Sequence, residues 1–244
     1  MTVTDLSSRP GPPALVLVAH GSRDPRALST VRALMDRVRA RRPGLSVRLG
    51  HIELNEPLLP DTLAALGNTE AVLVPLLLGR GHHVKRDIPA MAAAAGARTR
   101  IAAPLGPHPL LADTLHARLL EAGWRPRPAS AVVLAAAGSR DPDARVDTGR
   151  TAGLLAGRLG VPVLAAYASA AAPSVPDAIS ALRAKGRHRI AVASYFTAPG
   201  RFATESAAHA PWIASAPLGA HEAMADLVLH RYERAPGTPV TAAA

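Results

Sequence analysis

The chain repeats itself, and the repeat limits the folds open to its 244 residues. Residues 103–123 read APLGPHPLLADTLHARLLEAG, and residues 216–234 read APLGAHEAMADLVLHRYER, an offset of 113. Upstream, AHGSRDPRA at 19–27 meets AAGSRDPDA at 136–144, an offset of 117. Two matches at nearly one offset describe two halves built on one template. The joint falls in RPRPAS at 125–130, where proline blocks both helix and sheet ladders. The expected organisation is a first lobe over 14–124, a linker over 125–130 and a second lobe over 131–234, with disordered tails at 1–13 and 235–244.

Each half alternates strand and helix. Leu15–His20 is a continuous apolar run ending at a glycine turn, the pattern of a buried parallel strand. Helical spacing follows over Pro25–Arg42, carried by Leu28, Val31, Leu34, Met35 and Val38. Strands at 47–52, 71–78 and 100–103 and helices at 58–66, 87–95 and 109–121 complete the half. The second half repeats the order, with strands near 131–136, 162–167, 189–196 and 212–216. This alternation predicts an α/β fold of two similar lobes, each a parallel sheet with helices on both faces. The ligand cleft is then expected at the carboxyl ends of the strands, between the lobes.

Composition removes several classes of chemistry. Hydrophobic residues make up 48% of the chain, which excludes global disorder. The absence of cysteine excludes disulfides, thiolate zinc sites, iron–sulfur clusters and a cysteine nucleophile. A metal here must be held by His, Asp or Glu, and there are ten histidines. No signal peptide or span-length apolar run is evident, so a soluble cytoplasmic protein without membrane contact is expected. Twenty-eight Lys and Arg against 18 Asp and Glu leave a formal +10, which favours an anionic partner. Nucleic acid is disfavoured by the lack of a basic run, a recognised motif or interleaved aromatics. HGSRDP after the first strand is not a glycine-rich phosphate loop, so a dinucleotide fold is also disfavoured.

Three polar groups fall on consecutive strand tips of the first half: His20 in AHGSRDP, Glu53 in HIELNEP, and His82–His83 in GRGHHVKRDIP. Two imidazoles and a carboxylate on one rim suit a divalent first-row metal. The repeat supplies an internal control. Aligning the halves puts Ala137 opposite His20, Ser169 opposite Glu53 and Phe202 opposite His83, while the GSRDP and APLG-x-H segments persist. One half keeps a site, and the other has been released from it. His108 and His221 recur in both copies and read as structural groups near the start of the last helix of each half. His51 reads as a half-exposed strand residue. Arg23 and Arg140 share the GSRDP turn and are expected to pair with Asp24 or Asp141.

HGSRDP after the first strand, ELNEP after the second and VPLLLG…HVKRDIP after the third resemble the sirohydrochlorin chelatase family, the class II tetrapyrrole chelatases that include anaerobic cobalt chelatases. The resemblance covers about 14–234, in the long two-lobed form. It implies insertion of a divalent metal, Fe²⁺, Co²⁺ or Ni²⁺, into a polycarboxylate tetrapyrrole with loss of two protons. The family's two catalytic histidines fall on His20 and His83 and its metal-binding carboxylate on Glu53, so these three are the expected catalytic and metal-binding residues. His82 stands where members commonly have a small residue, which leaves open which of the adjacent pair points inward. Metal is substrate, and no permanently bound cofactor is implied. Arg80, Lys85, Arg86 and Arg201 are the expected substrate-binding cations. Tyr167, Tyr195, Phe196 and Phe202 sit at strand tips of the second half, where a flat macrocycle could lie. A carrier of metal or tetrapyrrole would retain the same histidines without turnover. One chain supplies both lobes, so a monomer suffices.

Overall fold

The computed structural model describes residues 11–237. The first half is built from β1 (Ala14–Ala19), α1 (Pro25–Arg41), β2 (Val47–His51), α2 (Leu59–Ala64), β3 (Ala71–Pro75), α3 (Ile88–Ala94), β4 (Thr99–Ile101) and α4 (Pro109–Glu121). The second repeats it as β5 (Ser130–Ala136), α5 (Pro142–Leu159), β6 (Val163–Tyr167), α6 (Val175–Ala184), β7 (Arg189–Tyr195), α7 (Arg201–Ala208), β8 (Ile213–Ala214) and α8 (Glu222–Glu233). Both sheets are fully parallel, in the orders β2-β1-β3-β4 and β6-β5-β7-β8. The two-lobed α/β fold expected from the repeat is the one observed.

The lobes are not separate bodies. One apolar core takes in the inner faces of both sheets, with Leu15, Leu17 and Val74 on one side and Val132, Leu134 and Ala193 on the other. It also takes in the buried faces of α1, α4, α5 and α8. These four helices form a central layer in which α1 packs on α8, α4 on α5, and α4 on α8. Smaller outer cores lie on the far side of each sheet, under α2 and α3 in the first half and under α6 in the second.

The repeated motifs are the parts that make this arrangement twice. Asp24 and Asp141 cap α1 and α5, each accepting from a backbone N–H two residues on, with proline in the first turn. Ser22 and Ser139 Oγ accept from the Asp24 and Asp141 N–H groups at 3.1 Å. His108 and His221 cap α4 and α8 through Nδ1, which accepts from the Leu110 and Ala223 N–H groups at 3.2 Å. Arg118 and Arg231, also 113 apart, complete the seam reciprocally. Arg118 donates to the Leu218 carbonyl at 3.0 Å, and Arg231 donates to the Leu105 carbonyl at 2.9 Å. Each APLG segment is thus held by an arginine of the other lobe.

Several boundaries differ from expectation. β3 ends at Pro75 rather than 78, and β8 has two residues. The third helix is preceded by a π-helical turn, His83–Asp87, in which the Ile88 N–H reaches the His83 carbonyl. Arg23 does not pair with Asp24, because Asp24 already holds Arg26 at 2.7 Å; Asp141 holds Lys85. His51 is buried rather than half-exposed, at 1%. Of the expected tails, 1–10 and 238–244 lie outside the described residues. Pro13 is anchored, its carbonyl accepting from the Tyr232 hydroxyl at 2.7 Å, and Ala235 packs on the core.

Burial holds His51, His108, His116 and His221 below the ordinary imidazole pKa. Folding therefore favours their neutral forms. That stabilisation is complete above about pH 6.5 and is lost as pH falls through the lowered folded-state values. Tm should fall between about pH 7 and pH 5. Replacing both caps as His108→Asn and His221→Asn keeps a side-chain acceptor that does not titrate, so the slope should become shallower. An unchanged slope would show that the two caps do not carry the acid sensitivity.

Candidate functional site

The loops after β1 and β2 are locked together. The Ile52 N–H donates to the Ala19 carbonyl at 2.9 Å and the Glu53 N–H to the His20 carbonyl at 3.0 Å, carrying the ladder past the strand ends. Gly21 has a φ of 103°, and a Cβ there would fall inside the Glu53 carbonyl oxygen. Asn55 Oδ1 accepts from the Ser22 N–H at 2.7 Å. Leu54, at φ 67°, turns the chain after Glu53 and stands 51% exposed. A non-glycine residue held in the left-handed region is a feature that clusters at functional sites.

This scaffold brings His20 and Glu53 side by side, with His20 Nδ1 3.7 Å from Glu53 Oε1. The π-helical turn after β3 delivers His83, whose ring lies edge-on to that of His20 with centroids 4.7 Å apart. Such turns recur at functional sites because they re-aim side chains within a helix start. His83 Nδ1 donates to Asp87 Oδ2 at 2.6 Å. His20 Nδ1 donates to the Gly21 carbonyl at 3.3 Å. Both bonds use Nδ1, leaving Nε2 of each ring free to accept a proton or a metal. His82 also borders the cleft, but its side chain is 73% exposed, its Nε2 lies 3.5 Å from Asp87 Oδ1, and its ring is 6.4 Å from that of His83. Of the two, His83 is the one whose ring meets that of His20.

The pair sits at one wall of a cleft of about 1520 Å³ between the strand tips of the two lobes. That exceeds the usual range for drug-sized ligands, about 300–1,000 Å³. Across from the histidines, the second lobe contributes Phe196, Arg201 and Phe202. The second half keeps the first half's backbone scaffold with different side chains on it. The Ser169 N–H donates to the Ala137 carbonyl at 3.0 Å, and a Cβ at Gly138 would fall inside the Ser169 carbonyl oxygen. The Lys85 N–H reaches the Gly81 carbonyl as the Thr204 N–H reaches the Gly200 carbonyl. Ala137, Ser169 and Phe202 therefore occupy the places of His20, Glu53 and His83.

The CbiX family model matches residues 14–122 and 131–235, nearly the whole of both lobes. The chain belongs to the CbiX family. Among relatives of this CbiX chain, the sirohydrochlorin cobaltochelatase of Methanococcus maripaludis is 38% identical over 79 residues, 31% of this chain and 55% of that protein. The match thus spans about half of that relative's length. The sirohydrochlorin ferrochelatase of Bacillus subtilis is 29% identical over 178 residues, 69% of this chain and 68% of that protein. The structure of SirB from Bacillus subtilis with Fe³⁺ superposes with a TM-score of 0.75 over 91% of this chain and 95% of that one, at 24% identity. It has the same fold.

The expected site residues divide into three groups in this CbiX chain. His20, His83 and Glu53 converge, but not as a closed set of three ligands. Among the described residues, no three His, Asp or Glu side chains stand close enough together to hold a metal ion. Glu53 lies beside His20, and His83 is aimed by Asp87, so the arrangement offers two imidazoles with a carboxylate next to one of them. Arg80 and Lys85, expected to bind substrate, are instead paired across the lobe boundary. Arg80 lies on Asp147 at 2.8 Å, and Lys85 lies on Asp141 and Asp143 at 2.7 and 2.8 Å. Neither is a free cation, because each already satisfies a carboxylate of the other lobe. Arg86 is exposed on the π-helical turn and does not line the cleft. Arg201 lines it, stacked over Phe202 at 4.7 Å, with Glu205 at 3.8 Å. Of the expected aromatic surface, Tyr195 is buried and its hydroxyl donates to the Leu78 carbonyl at 3.1 Å; Tyr167 is buried at 7%. Asp87 was not singled out from the sequence, although its four-residue spacing from His83 on a helical segment was the signal available. No sequence signal singled out Asp147.

The two loop junctions yield a structural test. Gly21→Ala and Gly138→Ala each combine a positive φ with overlap onto a carbonyl. Each should cost roughly 3 kcal/mol or more in urea unfolding. A loss below about 1 kcal/mol in either would mean that the loops can part without harm.

Proposed function

We propose that this chain is a sirohydrochlorin chelatase that inserts Fe²⁺ or Co²⁺ into its tetrapyrrole, with His20 and His83 as the metal-delivering residues. The observation that carries the reading is the pairing of two imidazoles, each with Nε2 free, at the wall of a macrocycle-sized cleft in a CbiX chain. Relatives that act on iron and on cobalt both support the class, and borderline nitrogen and oxygen donors accept either metal.

The chemistry follows from balance. A divalent ion entering the macrocycle displaces two pyrrole N–H protons. Two neutral imidazoles hold the ion through Nε2 without thiolate, so it can be handed on. Once relieved of the metal, each imidazole accepts a proton, and Glu53 beside His20 passes protons towards solvent. Asp87 keeps His83 in the tautomer that presents Nε2. The macrocycle lies against Phe196 and Phe202, with Leu54 reaching into the cleft from the loop that carries Glu53. With Arg80 and Lys85 engaged, its carboxylates are met by the cleft-lining Arg23 and Arg201.

The test is anaerobic turnover of sirohydrochlorin with Fe²⁺ or Co²⁺, followed by absorbance. His20→Ala and His83→Ala should each lose most of kcat with the fold intact by circular dichroism. Arg201→Ala should raise KM, with kcat nearly unchanged. Wild-type rates in both histidine variants would refute the assignment. Metal binding without turnover in the unaltered protein would favour a carrier.

A further inference from the structure

The second lobe has lost the site groups, yet it grips the segment that carries them. Residues 78–85 of the first lobe run from the end of the third strand's loop into the turn bearing His83, and the second lobe holds them at four points. The Tyr195 hydroxyl donates to the Leu78 carbonyl at 3.1 Å. Asp147 of α5 accepts from the Arg80 N–H at 2.9 Å, and from the Arg80 guanidinium at 2.8 and 3.0 Å. Gly79 lies against α5 between these two anchors, where a Cβ would stand 3.4 Å from the Asp147 Cβ, in ordinary contact. Beyond His83, Lys85 Nζ donates to Asp141 and Asp143 at 2.8 Å. The anchors flank His83 on both sides.

Asp147 is 1% exposed. Burial pushes its carboxyl up, and the hydrogen bonds from Arg80 outweigh that and hold it below the usual carboxylate value. The clamp exists once. Pro199 and Thr204 stand where Arg80 and Lys85 would be in the second half, and Thr30 stands where Asp147 would be in the first. A buried ion pair is a poor source of net stability, since well-packed apolar residues commonly serve as well. Fixing a ligand's orientation is a role that such packing does not reproduce.

We infer that Asp147, supplied by the lobe without the site histidines, is a positioning residue that acts through Arg80 to hold the turn of His83 so that its Nε2 faces His20. This rests on the proposed reading of His20 and His83 as the metal-receiving pair. The experiment is anaerobic Co²⁺ titration of the full-length protein by visible absorbance, with Tm measured alongside. It compares wild type, His83→Ala, Asp147→Asn, Lys85→Met and the paired replacement Arg80→Met with Asp147→Leu. His83→Ala should weaken Co²⁺ at least tenfold; if it does not, the metal reading itself fails. Given that control, Asp147→Asn should weaken Co²⁺ about tenfold. Lys85→Met, on an exposed anchor that leaves the core intact, should weaken it a few-fold. The paired replacement should recover Tm but not Co²⁺ affinity or kcat. Recovery of Tm, affinity and kcat together would show a merely structural clamp and overturn the inference. Unchanged affinity in Asp147→Asn would overturn it as well. A raised KM with intact Co²⁺ affinity would return Arg80 to substrate binding and also count against the inference.

Discussion

Neither sheet can bury its inner face alone. Leu15, Leu17 and Val74 from one and Val132, Leu134 and Ala193 from the other are covered by the same four helices, and those helices come from both halves. Removing either half would strip apolar surface from the other at about 25 cal/mol for each Å² exposed. The second half is therefore needed for folding whatever its strand tips carry. The same shared layer fixes the distance between the two rims, so the cleft is a property of the core and not of the loops that line it. Arg118 and Arg231, each donating to a leucine carbonyl of the opposite lobe, fasten that geometry at the edge of the layer.

Within this frame the two rims have diverged in a readable way. The first spends its loop-to-loop hydrogen bonds on placing His20 beside Glu53. The second makes the same bonds and places Ala137 beside Ser169. On the proposed reading, the two rims differ in three side chains, His20, Glu53 and His83, on an unchanged backbone. The rest of the site lies in how those side chains are aimed. Asp87 takes Nδ1 of His83, the Gly21 carbonyl takes Nδ1 of His20, and the π-helical turn sets the angle between the rings.

Much of this was legible in the sequence. The repeat implied two similar halves, and continuous apolar runs implied parallel strands, because burial on both faces leaves β1 wholly apolar and β5 apolar after Ser130. The APLG-x-H histidines, read as structural, cap helices; the GSRDP aspartates do so too, but the arginine pairing expected of that turn is not formed. The charges were not legible. A +10 sequence suggested free cations on the rim, but composition does not say which arginine meets which carboxylate. Arg80 and Lys85 find theirs 67 and 56 residues away on the other lobe. Arg41 and Arg42 likewise pair with Asp226 and Glu233 to join α1 to α8. Tyr195 was read as part of a platform because it ends a strand. Its burial against Thr151 and Leu78 depends on the lobe packing, which local pattern does not encode.

The central claim is that one rim receives the metal through exactly two imidazoles, each by the nitrogen its partner leaves free. X-ray absorption at the cobalt edge of the Co²⁺-loaded protein tests it directly. The account predicts an oxygen-rich shell with the multiple-scattering signature of two histidines, falling to one in His20→Ala and to one in His83→Ala. A shell without imidazole, or one that keeps two histidines in both variants, would contradict it.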